Sequence, residues 1–141
     1  MITLGRSDRV DLPEFGITNL HAKIDTGAYR SSIHCSRAEV VADKLEFVIL
    51  DEEHPEFTGM TFSTTNFTQR SIKNSFGKAE LRFVIKTRIS LFNKTYLAEF
   101  SLSDRAEMKF PLLLGRKLLK RRFLIDVGQK DLSFNRKHSG V

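Results

Sequence analysis

The sequence has a single cysteine, no tryptophan and 3 prolines among its 141 residues. One cysteine, Cys35, can form no internal disulfide bond and cannot supply the thiolates of a Cys-rich zinc module. Long apolar runs are missing too: segments such as FVIL and PLLLG are far shorter than the roughly 20 residues of a membrane-spanning helix. The N-terminal segment has Arg6 and Asp8 where a signal peptide has its apolar core. We therefore expect a cytoplasmic protein with no membrane partner.

Acidic residues are in the minority, since 17 Asp and Glu face 23 Lys and Arg and give a net charge of +6. This balance permits nucleic acid, anionic surfaces or acidic protein segments as partners. No RNA-binding aromatic signature and no glycine-rich phosphate loop accompanies the charge, so a solvated basic face is favoured over a nucleic-acid partner. In size and composition the chain fits one domain over 1–141, with a disordered polar tail at 135–141.

Short segments rich in Val, Ile, Phe and Thr recur between turn signals, which predicts an all-β protein. The segment 79–103 is predicted to be a hairpin with its turn at 92–94, because apolar residues alternate with period two on its first arm. The only helix predicted is short, at 115–122. A buried strand is expected at 123–127, followed by a last strand at 132–134. No internal repeat is evident.

One short segment has the composition of a catalytic turn. Asp25 follows an apolar strand and precedes Thr26, Gly27 and Ala28. A turn aspartate is common for a structural reason, because its side chain accepts a hydrogen bond from the backbone two residues on. The alternative is a catalytic carboxylate. A second unusual element, LLLGRKLL at 112–119, shifts the balance toward the catalytic interpretation.

Taken together, these two elements resemble the signature of the retropepsin-like aspartic proteases. The similarity extends to a bacterial and archaeal branch often labelled "ATP-dependent zinc protease" and associated with ATP-grasp glutamate ligases of ribosomal protein. The motifs of that branch correspond here to DTGAYRSSIH, KNSFG, FPLLLGR and RFLID. The resemblance implies a retropepsin-like closed β-barrel, the acid-protease fold, with one short helix near the C-terminus.

The resemblance also implies an aspartic endopeptidase. Two carboxylates that share a proton can activate a water for peptide hydrolysis. With one Asp-Thr-Gly per chain, a homodimer with Asp25 from each subunit at the two-fold axis is required. Thr26 would hydrogen-bond across that axis, and Gly27 would let backbone and substrate approach closely. Ala28 offers no hydroxyl to the carboxylate, so we expect activity at mildly acidic to neutral pH.

Further residues follow from the same resemblance. Gly115 and Arg116 would support the active-site loop from below rather than take part in the chemistry. The segment 58–80 would cover the substrate as a flap, with Lys73 and Asn74 as candidate substrate contacts. Asp126, in a second Asp-x-Gly, lacks the hydroxyl residue and is interpreted as a strand-end aspartate.

The zinc and ATP in the branch label find no support in the sequence. There is no HExxH, and the chain has no GxxxxGK[ST] phosphate loop. His34 on its predicted strand is interpreted as a hydrogen-bonded structural histidine. We therefore expect no metal and no cofactor. The expected partners are a second copy of the chain, a peptide or protein substrate with acidic, glutamate-extended tails, and a glutamate ligase. The alternative function is a non-catalytic, retropepsin-fold regulator of that ligase.

Overall fold

The computed structural model describes residues 1–73, 76–104 and 109–138. Strands dominate this part of the chain, as the sequence predicts. The strands are β1 Ile2–Leu4, β2 Ser7–Leu12, β3 Ile17–Ile24, β4 Ser31–Val41, β5 Lys44–Ile49, β6 Phe62–Thr64, β7 Phe67–Lys73, β8 Ala79–Leu91, β9 Lys94–Ser103, β10 Leu112–Leu114 and β11 Phe123–Ile125. The helices are α1 Arg116–Leu119 and α2 Leu132–His138, with a 3-10 turn at Pro13–Phe15.

The predicted hairpin is confirmed as β8 and β9, which pair antiparallel along their length. Its turn places Phe92 and Asn93 at positive φ, 53° and 58°. Consecutive left-handed residues match the right-handed twist of the two arms. Ile85, Ile89 and Leu91 are buried on one face of β8, because alternate side chains of a strand point to the same side.

The main sheet runs in the order β10, β3, β2, β8, β9, β4, β5, β6. Strand β10 pairs parallel with β3 and also antiparallel with β4, two strands that are separated by β2, β8 and β9 in this order. Side chains on these strands are among the most deeply buried of the core: Leu12, Leu20, Ile33, Ile89, Phe100, Leu112 and Leu114. Each such side chain contributes roughly 1.5–3 kcal/mol through burial. This packing holds β3 and β10 side by side, and both lead into the candidate site.

A second hairpin, β7 with β8, extends beyond the core. Its outer part is mostly exposed, with Leu81 at 74% and Phe76 at 88% exposure. Within the segment predicted to be a flap, residues 67–73 thus form one arm of a hairpin. Of the two candidate contacts, Lys73 ends β7, and Asn74 lies outside the described residues.

The C-terminal segment differs from the prediction. A strand at 132–134 is wrong, because these residues begin α2, and the tail expected to be disordered from 135 is helical as far as His138. The physical reason lies far away in sequence. The buried carboxylate of Asp8 accepts the N–H groups of Ser133 (2.8 Å) and Phe134 (3.1 Å) at the helix start. These bonds satisfy N–H groups that a helix end leaves unpaired.

Strand β11 is shorter and less buried than predicted. It pairs parallel with β1 in a separate two-stranded sheet, and Leu124 is 55% exposed there. The single turn of α1 agrees with the predicted short helix, with Leu118 and Leu119 buried. No helix among the described residues is long and apolar enough to cross a lipid bilayer.

Candidate active site

The candidate site begins where β3 ends. Ile24 is the last residue of β3 and lies opposite Leu114 of β10. The next backbone group, the N–H of Asp25, still donates to the carbonyl of Leu114 at 2.9 Å. The parallel ladder therefore fixes the backbone of Asp25, and the chain turns only after it.

The turn itself is closed by the aspartate. The carboxylate oxygen Oδ1 of Asp25 accepts a hydrogen bond from the N–H of Gly27 at 3.2 Å. The backbone carbonyl of Asp25 accepts one from the N–H of Ala28, also at 3.2 Å. The first of these bonds is the Asx turn that the sequence allows for. Oδ2 has no hydrogen-bond partner among the described residues, and Asp25 is partly exposed. One carboxylate oxygen therefore remains available for chemistry.

Gly115 packs directly against the backbone that follows this turn. A Cβ at position 115 would lie 2.6 Å from the carbonyl oxygen of Arg30 and 2.7 Å from that of Tyr29, which is closer than atoms pack. The N–H of Gly115 donates to Oγ of Ser31 at 3.1 Å. Only glycine allows the strand end and the turn to approach this closely.

Arg116 adds two bonds to the same turn. Its N–H donates to the carbonyl of Ala28 at 2.8 Å, and Nη1 donates to the carbonyl of Thr26 at 2.9 Å. Its guanidinium also lies 5.9 Å from the ring centre of Tyr29. All these contacts are made to the backbone or to an aromatic ring, which places Arg116 in a supporting position and not at the carboxylate.

A groove of about 600 Å³ opens beside Asp25. Its walls come from the Asp25 turn, from β4 and from the β7–β8 hairpin. The lining residues are Lys23, Asp25, Gly27, Ala28, Tyr29, Arg30, Ser32, Ser71, Ile72, Lys73, Arg82, Ser101 and Leu113. The structure thus brings the predicted flap residue Lys73 and the predicted turn to one groove.

The groove is strongly cationic, because Asp25 is its single acidic residue against four basic ones. Arg30 pairs with Glu99 at 3.4 Å, and Arg82 pairs with Glu80. Lys23 and Lys73 have no acidic partner among the residues that the structure describes. Two ammonium groups are therefore available to an anionic ligand.

Comparison with protein-family models identifies the family of this chain. The model of the RimB-like family, described as retropepsin-like aspartic endopeptidase RimB, matches residues 3–136. The chain belongs to the RimB-like family. The match includes both halves of the candidate site, the Asp25 turn and the Gly115–Arg116 element. It confirms the resemblance to retropepsin-like proteases drawn from the motifs.

Relatives of this RimB-like chain carry a different name. A protein of Desulfotalea psychrophila named "Probable alpha-L-glutamate ligase" is 35% identical over 127 residues, covering 87% of this chain and 27% of that protein. Proteins of the same name from Shewanella pealeana and Parasynechococcus marenigrum are 28% identical, and each match covers 28% of the relative. The chain spans little more than a quarter of the length of these relatives.

A solved structure shares the fold. A Legionella pneumophila protein of unknown function, Lpg0085, superposes with a TM-score of 0.67 at 22% identity. The match covers 94% of the RimB-like chain and 98% of the Legionella chain. The fold is therefore found, nearly complete, in a second protein.

Asp126 occupies the position that the sequence suggested, at the end of a strand. Its carboxylate accepts the N–H of Gly128 at 2.9 Å and Nε2 of Gln129 at 2.8 Å. The Gln129 hydrogen bond is the main cause of a lowered pKa for Asp126, and the Gly128 bond acts in the same direction. Both carboxylate oxygens are engaged in closing a turn.

His34 is buried on β4 and hydrogen-bonded, as the sequence suggested. Its Nε2 lies 2.7 Å from Oδ2 of Asp51. Partial burial raises the pKa of Asp51, but bonds from His34, the N–H of Glu53 and His54 outweigh it, and the net pKa is lowered.

The sequence did not reveal that Asp51 and His54 would lie beside His34, nor that Ser31 would hold Gly115. His34 and Asp51 are separated along the chain by the β4–β5 hairpin, and Ser31 and Gly115 by most of the fold. No local pattern in the sequence marks them.

Proposed function

We propose that this chain is an aspartic peptidase that acts as a homodimer, with Asp25 of each copy forming a catalytic dyad on the two-fold axis of a closed, retropepsin-like barrel. The observation that carries the proposal is the environment of Asp25. Its backbone is fixed by β10, one carboxylate oxygen closes the turn, the other has no hydrogen-bond partner among the described residues, and Asp25 lines the groove. A pure structural aspartate, such as Asp126, uses both oxygens.

The chemistry requires two carboxyl groups. One ionised Asp25 accepts a proton from a water molecule while the protonated Asp25 of the second copy donates a hydrogen bond to the scissile carbonyl. The water oxygen then attacks the carbonyl carbon, and the proton passes to the leaving nitrogen. A single chain supplies half of this arrangement.

The exposed part of the turn supports a second copy. Thr26 and Gly27 are both exposed in the single chain. A Cβ at position 27 would meet only Oδ1 of Asp25 at 3.4 Å, an ordinary contact. No contact within the described part of one chain therefore requires glycine at position 27. Close approach of a second chain or of a substrate would require it.

The proposed substrate is an acidic peptide, specifically a glutamate-extended tail. Lys23 and Lys73 line the groove without acidic partners among the described residues, and Arg30 and Arg82 lie beside them. Carboxylate side chains of a substrate would be attracted to this surface. The relatives named as glutamate ligases agree with a substrate or partner of this chemistry.

The test is cleavage of a glutamate-tailed peptide by wild-type protein, with oligomeric state measured by analytical ultracentrifugation. Because each site needs two Asp25 carboxylates, equimolar Asp25→Asn protein added under exchanging conditions should lower wild-type activity to about half, as mixed dimers form. Equimolar Asp126→Asn should not inhibit. A strictly monomeric active protein would contradict the dyad.

The substrate class has its own control. The Lys23→Ala and Lys73→Ala variants should each have a higher KM for the glutamate-tailed peptide. Their KM for a neutral peptide should be the same as that of wild type. Lys44→Ala, at the exposed start of β5 outside the groove, is the matched control. Equal KM changes for the acidic and the neutral peptide would argue against recognition of acidic tails.

The second candidate function is a non-catalytic partner of a glutamate ligase. The name shared by relatives in which this segment covers about a quarter of the length favours it. This function replaces the peptidase if the purified dimer leaves every peptide intact and the Asp25→Asn variant binds a glutamate ligase as tightly as wild type does.

A further inference from the structure

A cluster of potential metal ligands lies away from the Asp25 turn. His34 Nε2 lies 2.7 Å from Oδ2 of Asp51, and His54 Nδ1 lies 2.9 Å from Oδ1 of the same carboxylate. The centres of the two imidazole rings are 5.4 Å apart. All three ligand atoms fall within 4.8 Å of one another.

The backbone holds the three residues in place. The N–H of Leu50 donates to the carbonyl of His34 at 2.9 Å, which ties the end of β5 to β4. The N–H of His54 donates to the carbonyl of Asp51 at 3.1 Å and closes a tight turn. His34 is 1% exposed. The ligand atoms therefore converge without any rearrangement of the chain.

Two imidazole nitrogens and one carboxylate form a set that Zn²⁺ prefers, with a fourth position left for water. Tetrahedral zinc at about 2.0–2.1 Å from each ligand separates the ligand atoms by about 3.3 Å. The present separations are 2.7 Å from His34 Nε2 to Oδ2 of Asp51 and 2.9 Å from His54 Nδ1 to Oδ1, about half an ångström shorter than the tetrahedral spacing. Small side-chain rotations would replace both hydrogen bonds with metal–ligand bonds.

The surroundings also fit a cation. The other ring nitrogen of His34, Nδ1, lies 3.6 Å from a carboxylate oxygen of Asp104. A carboxylate behind a metal-binding histidine orients the ring and strengthens the ligand. An acidic cavity of about 420 Å³ borders Asp51, with Glu52 and Glu53 in its wall. It offers an approach for a positive ion.

We propose that His34, Asp51 and His54 bind one divalent metal ion of the zinc class. This site would fasten the loop after β5 to β4. It differs from the expectation, drawn from the sequence, that the chain binds no metal. It is independent of the proposed peptidase chemistry and involves none of the same side chains.

The test uses metal-free, full-length protein titrated with Zn²⁺, with Co²⁺ as a spectroscopic probe. One ion per chain should bind, Co²⁺ should show the visible absorption of a tetrahedral site, and Zn²⁺ should raise the Tm. Mg²⁺ and Ca²⁺ should not compete, because they prefer oxygen ligands. Asp25→Asn should bind Zn²⁺ like wild type, which separates this site from the active site.

The ligand variants are His54→Ala and Asp51→Asn, which leave the most buried histidine in place. Each should weaken Zn²⁺ binding at least about tenfold and remove the Co²⁺ spectrum. His21→Ala, an exposed histidine on β3, is the matched control and should bind normally. Absence of stoichiometric Zn²⁺, or binding unchanged in both ligand variants, would show a purely hydrogen-bonded cluster and overturn the proposal.

Discussion

Two turns in this protein share a local design, and the cationic groove borders one of them. The Asp25 turn follows β3, and the Asp126 turn follows β11. Each has the pattern Ile-Asp-x-Gly. Each preceding strand pairs parallel with a strand whose last leucine is followed by Gly-Arg, β10 for the first turn and β1 for the second. The repeat was not evident from the sequence, because its halves are nested and not consecutive.

The contacts of the two turns match closely. The N–H of Asp25 donates to Leu114 at 2.9 Å, and that of Asp126 donates to Leu4 at 2.8 Å. Each aspartate accepts the N–H of the glycine two residues on. Gly5 packs against the Asp126 turn as closely as Gly115 packs against the Asp25 turn.

The difference lies in the second carboxylate oxygen. In Asp126 it accepts the side chain of Gln129, whereas in Asp25 it has no partner among the described residues. Asp25 also borders the cationic groove. An Asp-x-Gly turn is therefore a structural unit that becomes a candidate catalytic one only when an oxygen is left free and a cavity faces it.

The largest expected difference between the turns is in catalysis. Asp25→Asn should lower kcat/KM for a glutamate-tailed peptide by about 10²- to 10⁴-fold, because the carboxylate no longer accepts a proton. Asp126→Asn should stay within about twofold of wild type, since it lies outside the proposed chemistry. Equal losses in the two variants would mean that both act through folding.

Substitution of either glycine that packs against these turns, Gly115 or Gly5, should destabilise the protein to a similar extent. A Cβ at Gly115 would lie 2.6 Å from a carbonyl oxygen, and one at Gly5 would lie 2.4 Å from the carbonyl oxygen of Gln129. Gly115→Ala and Gly5→Ala should each lower the free energy of unfolding by about 1–3 kcal/mol, because backbone must shift. Gly27→Ala, with ordinary contacts, is the control for urea unfolding. A neutral Gly115→Ala would contradict the tight approach.

Alanine substitution of Arg116 should lower the free energy of unfolding more than alanine substitution of Arg6. Arg116→Ala removes a 2.9 Å bond to Thr26. Loss of one such bond should cost roughly 0.5–1.5 kcal/mol of unfolding free energy. Arg6→Ala removes two longer bonds of 3.4 Å, to Val127 and Gln129, and should cost less. Thermal unfolding of both variants measures this, and a reversed order would argue against the stronger support of the Asp25 turn.

The smallest effect is electrostatic. The pKa of Asp126 is below its ordinary 3.8, first because of the Gln129 amide. A lowered folded-state pKa adds stability above the unfolded-state pKa, and this is lost as the pH falls through the folded-state value. Gln129→Ala should raise the Asp126 pKa toward its ordinary value in an NMR titration. An unchanged value would assign the shift to the Gly128 bond instead.

Local patterns carried much of the fold and part of the site. Period-two alternation over 79–91 predicted the β8–β9 hairpin, because a strand exposes alternate side chains to opposite environments. The Asp25 turn followed from residue chemistry, since an aspartate two positions before a glycine closes an Asx turn without help from the rest of the chain. The C-terminal helix was missed for the opposite reason. Its cap, Asp8, lies near the other end of the chain.

What the sequence determined by itself is therefore the mostly β class, the hairpin at 92–93 and the closing of the Asp25 turn, all of which depend on neighbours a few residues apart. Only the tertiary structure decided that Gly115 would back that turn, that Lys23 and Lys73 would line one groove, and that His34 would meet Asp51 and His54. These contacts join distant segments. Their geometry is set by how the strands pair and pack, which no short stretch of sequence specifies.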